Sequence, residues 1–232
     1  MKATEFEFRH RALLNLLQIW LAFQVHLFDR TNIVWWLWPW NTQRGSLLAR
    51  VFFFFAAALV GAAAAIRTWA AAYLGADVIH DMQLRTDNLV ADGPYRHVRN
   101  PLYLGSLLLS IGLGFLASRL GLLILAVGGT IRVLRLVGRE EESLQRHFGE
   151  TFHQFAKSVP RLLPSIFPCL PTSGKKPRWR QAFQSEGPMW GFFVMMVAFA
   201  ATLRDDVAWV LGVCSLLFWI LLRISERWRK SA

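Results

Sequence analysis

Thiols, histidines and acidic groups are all sparse in this sequence. The two cysteines, Cys169 and Cys214, lie far apart in or beside apolar segments, which excludes a disulfide framework and a cysteine-based metal site. His97, His147 and His153 are scattered, without the paired spacing of a zinc site; they are expected at the surface, and no metal is expected. Charged residues make up 18% of the chain, and 15 acids face 26 bases, a formal charge of +11. Such a surplus suits nucleic acid in a soluble protein. Here the bases sit between long apolar runs, where they set topology and meet anionic lipid, so the expected partners are membrane lipids and no nucleic acid. No internal repeat is present, and no low-complexity tract beyond the Ala-rich end of residues 47–74.

What the chain has instead is apolar bulk: 54% hydrophobic residues, 18 Phe and 11 Trp among 232 positions. A bilayer core of ~30 Å needs ~20 mostly apolar residues per helix. About six stretches meet or approach this length, at 12–28, 47–74, 102–117, 120–137, 189–203 and 207–222, and predict an all-α, polytopic membrane protein. Short breaks at 118–119 and 204–206 make the last four into two tight hairpins. Arg67 lies near the end of its run and is expected to snorkel to the surface. Bases cluster at Lys2 to Arg11, 85–99, 135–180 and 223–230, which orients both termini and both long loops to the cytoplasm, as in a bacterial inner membrane. The first run has no small-residue cleavage site after it and is kept as a helix, with Trp35, Trp36, Trp38 and Trp40 as an interfacial belt. Gln18, Gln24 and His26 should turn that helix towards its neighbours. The organisation expected is N-terminal helices over 1–66, a core over 67–168, a Pro-containing linker over 169–188 and a C-terminal hairpin with a basic tail over 189–232.

Two cytoplasmic segments carry ordered polar patterns. The first runs from Arg85 to Gly105 and contains a Gly93-Pro94 turn and an Asn100-Pro101 step that places Pro at the start of a helix, with Asn100 positioned to cap it. A turn, a cap and arginines reaching for lipid phosphate account for this pattern without any function. The second runs from Arg139 to Pro164, where Arg132, Arg135 and Arg139 precede Glu140, Glu141 and Glu142 at spacings that also suit plain surface pairing. A short hairpin between the segments brings both together, so that a carboxylate from one and a Gly-Pro turn with an aromatic from the other line one pocket at the bilayer surface.

Gly93-Pro94-Tyr95-Arg96-x-x-Arg99-Asn100-Pro101-x-Tyr103-x-Gly105, then a hairpin, Glu140-Glu141-x-x-Leu144-x-x-x-Phe148-Gly149 and Val159-Pro160-Arg161-x-x-Pro164 resemble the isoprenylcysteine carboxyl methyltransferases. Bacterial relatives of that family and the phospholipid N-methyltransferases are similar, and the resemblance covers roughly residues 67–164. It implies a membrane enzyme that uses S-adenosylmethionine. By motif, the cofactor contacts fall on Asp87, Asn88, Leu89, Val90, Tyr95, Asn100, Pro101, Leu102, Tyr103 and Glu140, with His80 or Gln83 upstream. A carboxylate at Glu140 suits an ammonium, and tyrosine rings suit a sulfonium. Two positions depart from the family: Asn100 stands where histidine is usual, so acid-base work by an imidazole is excluded there, and Phe152 and Phe155 stand where tyrosine is common.

Methyl transfer needs two oriented reactants and little water rather than a covalent nucleophile. A lipophilic carboxylate acceptor would need an arginine clamp, for which Arg135 and Arg139 are the first candidates and Arg96 and Arg99 the next; an amine acceptor would need a base, with Glu141 the first. Two other classes stay open: a catalytically silent membrane scaffold and a reductase using NADPH.

Overall fold

A computed structural model describes residues 2–37, 47–74 and 91–231. The expected contacts Asp87, Asn88, Leu89 and Val90, with His80, Gln83, Trp38 and Trp40, lie outside the described residues. Among the described residues every regular element is helical, apart from one isolated bridge between Asn32 and Ser118.

The elements in chain order are α1 (Glu5–Arg9), α2 (Arg11–Gln24) with a following 3-10 turn (Val25–Leu27), α3 (Ile33–Leu37) and α4 (Leu47–Leu74). After a 3-10 turn (Gly93–Arg96) come α5 (Pro101–Gly114), α6 (Arg119–Phe148), α7 (Glu150–Ser158), α8 (Trp179–Ser185), α9 (Gly187–Thr202) and α10 (Asp205–Ser231). Helices α4 and α6 are long and apolar enough to cross a membrane. Helices α5 and α9 are apolar but have only 14 and 16 residues, about 21 and 24 Å at 1.5 Å per residue, which falls short of a ~30 Å core. The apolar sequence continues through Leu116 and Ala117, yet the backbone has already turned, because Ser118 caps α6 by accepting from Gly121 N at 3.2 Å.

Helix α4 packs against both α5 and α9. Its buried face is lined by Ala56, Ala57, Val60, Ala63 and Ala64, side chains small enough for backbones to approach closely. On the facing helix, a Cβ added at Gly112 would stand 2.6 Å from Val60 Cγ2 and 3.0 Å from the Ala56 carbonyl oxygen. On the other side Phe53 meets Phe199 edge-on, with ring centroids 4.8 Å apart.

Arg67 does not snorkel. Its Nε and Nη2 donate to the two carboxylate oxygens of Glu186 at 2.7 and 2.9 Å, and its Nη1 donates to Ser106 Oγ at 2.7 Å and to the Leu102 carbonyl at 3.1 Å. Glu186 immediately precedes α9 and is 1% exposed. One guanidinium therefore joins α4, the first turns of α5 and the start of α9. A bidentate partner satisfies the cation where water does not reach it.

At the far end of α5, Asn32 Nδ2 donates to the carbonyls of Phe115 and Ala117 at 2.7 and 2.8 Å, and Arg119 pairs with Asp29 at 3.1 Å. Helix α2 touches α6 closely enough that a Cβ at Gly121 would sit 2.3 Å from the Ala22 carbonyl oxygen. Helix α6 passes through one π-helical segment, Ile124–Gly128, and Gln18 donates to the Ile124 carbonyl at 2.7 Å. Of the polar residues expected to turn the first helix inward, Gln18 does so, while Gln24 and His26 are exposed.

Removing the carboxylate in Glu186→Ala leaves Arg67 buried without its counter-ion and is expected to cost about 3–5 kcal/mol. The double replacement Arg67→Met with Glu186→Leu recovers most of that loss. Thermal unfolding of the detergent-solubilised protein checks both outcomes.

Candidate cofactor site

The site begins at the 3-10 turn of Gly93–Arg96. Gly93 has φ +60°, a left-handed conformation that favours glycine, and a Cβ there would stand 2.4 Å from the Tyr73 ring. Pro94 starts the turn, which carries Tyr95 into the interior. Burial pushes the Tyr95 hydroxyl pKa well above its ordinary value, with the Glu140 carboxylate acting in the same direction. Arg67 and Glu186 also lie within electrostatic reach of Tyr95.

Pro101 opens α5 one turn later and brings Tyr103 onto the same side, where it shares a hydrogen bond with Glu140 of α6. Tyr103 and Glu140 are thus bonded to each other, with buried Tyr95 within electrostatic reach of Glu140. Leu102 contributes its carbonyl to Arg67, and Pro101 is buried at the helix start.

Asn100 stands at the N-cap position, but its side chain makes no capping bond. Its amide instead donates to Glu141 at 2.9 Å and to the Arg161 carbonyl at 3.1 Å. Glu141 also pairs with Arg161 at 2.9 Å and lies 3.6 Å from Arg99. Asn100, Arg99, Glu141 and Arg161 therefore form a second cluster, which joins the two polar segments. With an amide and two guanidiniums around it, the Glu141 carboxylate is engaged in holding the two segments together.

The same two segments are joined along their backbones. Arg99 N donates to the Pro160 carbonyl, Ser165 N to that of His97 and Cys169 N to that of Arg96, at 2.8 to 2.9 Å. His97 is partly buried rather than at the surface, with Nδ1 2.9 Å from the Ser165 carbonyl and its ring beside Trp69, whereas His147 and His153 are exposed. Asp92, 1% exposed, accepts from Thr172 Oγ1, Ser173 Oγ, Ser173 N and Lys175 N. Hydrogen bonds led by that of the Ser173 hydroxyl lower its pKa to about 2.

Arg135 and Arg139 point away from this cluster to the N-terminal segment. Arg135 pairs with Glu7 at 2.7 Å, and Arg139 pairs with Glu5 and donates to the Ala3 carbonyl at 3.1 Å. The Arg135 bond, with the Thr4 amide, lowers the Glu7 pKa to about 2. Arg96 donates to the Leu170 carbonyl at 2.6 Å. Phe152 and Phe155 pack with Val159, and Ala91, Leu144, Cys169 and Leu170 close around them. Their missing hydroxyls are therefore a matter of core packing.

Local pattern gave Glu186 and Asp92 no part in the site, and Arg161 entered only as one position of a motif. A signal existed for Glu186: an arginine inside an apolar run needs an acid, and Glu186 stands at the edge of another such run.

Residues 51–151 match the family described as phospholipid methyltransferase, which supports the wider superfamily that the motifs resemble and a membrane methyltransferase in general. No curated protein and no solved structure matches the chain.

Because the Asp92 pKa is depressed in the folded state, its contribution is fully present above the ordinary value of 3.8 and is lost as pH falls through about 2. Asp92→Ala is expected to destabilise by about 2 kcal/mol at neutral pH. Hydrogen exchange should show residues 172–175 losing protection in that variant, and in the wild type only under strong acid.

Proposed function

We propose that the chain is an S-adenosylmethionine-dependent membrane methyltransferase whose acceptor is a lipophilic carboxylate. The observation that carries the reading is the convergence of Glu140, Tyr103 and Tyr95 within the region matched to the methyltransferase family. The donor set fits the cofactor: a carboxylate for the ammonium of its methionine part, and two aromatic rings beside it for a sulfonium. Asp87, Asn88, Leu89 and Val90 would complete the binding stretch that leads into the Gly93 turn. When bound, S-adenosylmethionine supplies the electrophilic methyl group, so the protein needs neither a nucleophile nor a metal.

The chain's own residues then hold and orient. Glu140 fixes one end of the cofactor, the Gly93–Arg96 turn closes the site above the membrane surface, and the Arg67–Glu186 pair holds the Tyr95 and Tyr103 segments in register. A carboxylate acceptor arrives already ionised and needs no base. This agrees with the engagement of Glu141 by Asn100 and Arg161. A phospholipid amine is the second reading, favoured by the description of the matched family.

Calorimetric titration with S-adenosylmethionine tests the cofactor. Glu140→Gln and Tyr95→Ala should each weaken binding about tenfold or more, the loss of a charge-assisted contact or an aromatic wall. Absence of binding by folded wild-type protein, or tight binding of NADPH instead, overturns the reading. With methyl-labelled cofactor and extracted membrane lipids, label released as methanol by mild base marks a carboxyl ester, whereas base-stable label in lipid marks an N-methylated amine.

A further inference from the structure

We infer that Arg135 and Arg139 form a binding site for the oxyanion headgroup of an amphiphile, and that the chain's own Glu5 and Glu7 occupy this site when no headgroup is bound. As a statement about the acceptor this rests on the methyltransferase reading; as a statement about anion binding it does not.

Arg132, Arg135 and Arg139 recur at helical spacing along one face of α6, and each meets the N-terminal segment: Arg132 bonds Asn15, Arg135 bonds Glu7 and Arg139 bonds Glu5. The Arg139–Glu5 pair is lopsided, 28% against 80% exposed, while the Arg135–Glu7 pair is partly exposed on both sides, at 26% and 34%. The cations belong to a rigid helix with limited access to water, and the anions come from a five-residue helix at its surface. Partly exposed ion pairs contribute only about 0–1 kcal/mol each, so a competing oxyanion at the bilayer surface can replace them. Arg132 keeps one buried guanidinium nitrogen, Nη1, without a hydrogen-bond partner, which adds an unused donor to the row.

The position of the segment gives the exchange a consequence. Ala3 and Phe8 pack on Leu136, with Tyr103 against them, and Phe8 lies under the guanidiniums of Arg11 and Arg139 at 4.7 and 5.7 Å. Ala3 N also donates to the Arg135 carbonyl at 3.0 Å, and Lys2 pairs with Glu142 at 2.8 Å. The segment thus covers the flank of Tyr103, the residue that bonds Glu140. A headgroup that takes Arg135 and Arg139 from the two glutamates both binds beside the site and uncovers it.

The test follows hydrogen exchange of residues 2–10 in full-length protein held in phosphatidylcholine nanodiscs, in nanodiscs containing phosphatidylglycerol, and in phosphatidylcholine nanodiscs with added S-prenylated N-acetylcysteine. Either anionic amphiphile should raise exchange about tenfold, the equivalent of releasing two partly exposed ion pairs. Glu5→Gln with Glu7→Gln should exchange fast in phosphatidylcholine alone and bind the anion several-fold more tightly. Arg135→Gln with Arg139→Gln should also exchange fast but lose anion binding, while protection of α6 shows that the variant is folded. A response to phosphatidylglycerol alone assigns the site to bilayer lipid, and a response to the prenylated acid alone assigns it to the acceptor. Unchanged exchange with both anions, or anion binding untouched by the arginine replacements, overturns the proposal. None of these readouts requires S-adenosylmethionine, so failure of the cofactor reading leaves them interpretable.

Discussion

A guanidinium held among apolar helices constrains everything around it. Arg67 makes four hydrogen bonds, two to Glu186, one to Ser106 and one to the Leu102 carbonyl. An ion pair in such a setting stabilises little when compared with apolar replacements, because desolvation opposes the Coulomb gain. What it supplies is register. The bonds to Leu102 and Ser106 set the height of α5 against α4, and the bond to Glu186 sets the start of α9 against both. Tyr103 lies between the two α5 residues that Arg67 grips, so its place beside Glu140 follows from the same constraint.

The loops that carry the polar motifs are organised by a different kind of force. Residues 96–99 and 160–169 exchange backbone hydrogen bonds without forming a ladder, and Asp92 collects the linker at 172–175. Leu163, Ile166 and Phe167 of these loops are exposed, and the loops obtain order from satisfied polar groups instead. Asn100 shows how the two systems meet. Its backbone begins α5, and its side chain leaves the cap to join Glu141 of α6 and the Arg161 carbonyl. An imidazole could make at most one of these two donations from a given nitrogen, whereas a primary amide makes both.

Local pattern carried a good part of this architecture. Apolar run length marked α4 and α6, the Ser118-Arg119 break marked the turn between α5 and α6, and the motif spacing singled out the tyrosines and the glutamate that converge. It carried less where the deciding contact is distant. Arg67 and Glu186 are 119 positions apart, and Arg135 and Glu7 are 128 apart, so no periodicity links them. The reading of Arg67 as a snorkelling residue treated it alone, and tertiary pairing decided otherwise; the partners of Arg135 and Arg139, Glu7 and Glu5, are likewise ones that no local pattern announces. The end of α5 was misplaced for a related reason: composition reports that apolar residues continue to 117, while the cap at Ser118 shows that the chain has already turned.

The region matched to the methyltransferase family covers residues 51–151, yet the chain on both sides of it reaches the same place. From the C-terminal side comes Glu186, which completes the charge on Arg67; from the N-terminal side come Ala3 and Phe8, which lie against Tyr103 and Leu136. The two additions act differently because their surroundings differ. Glu186 is buried, so its exchange for another partner would strand a cation, and it behaves as a fixed strut. Glu5 is at the surface and Glu7 is partly exposed, so water competes for their hold on α6, as the proposed exchange requires. Under the proposed function, the buried Glu186 side sets where the cofactor is held, and the exposed N-terminal side leaves the acceptor open to what the membrane presents.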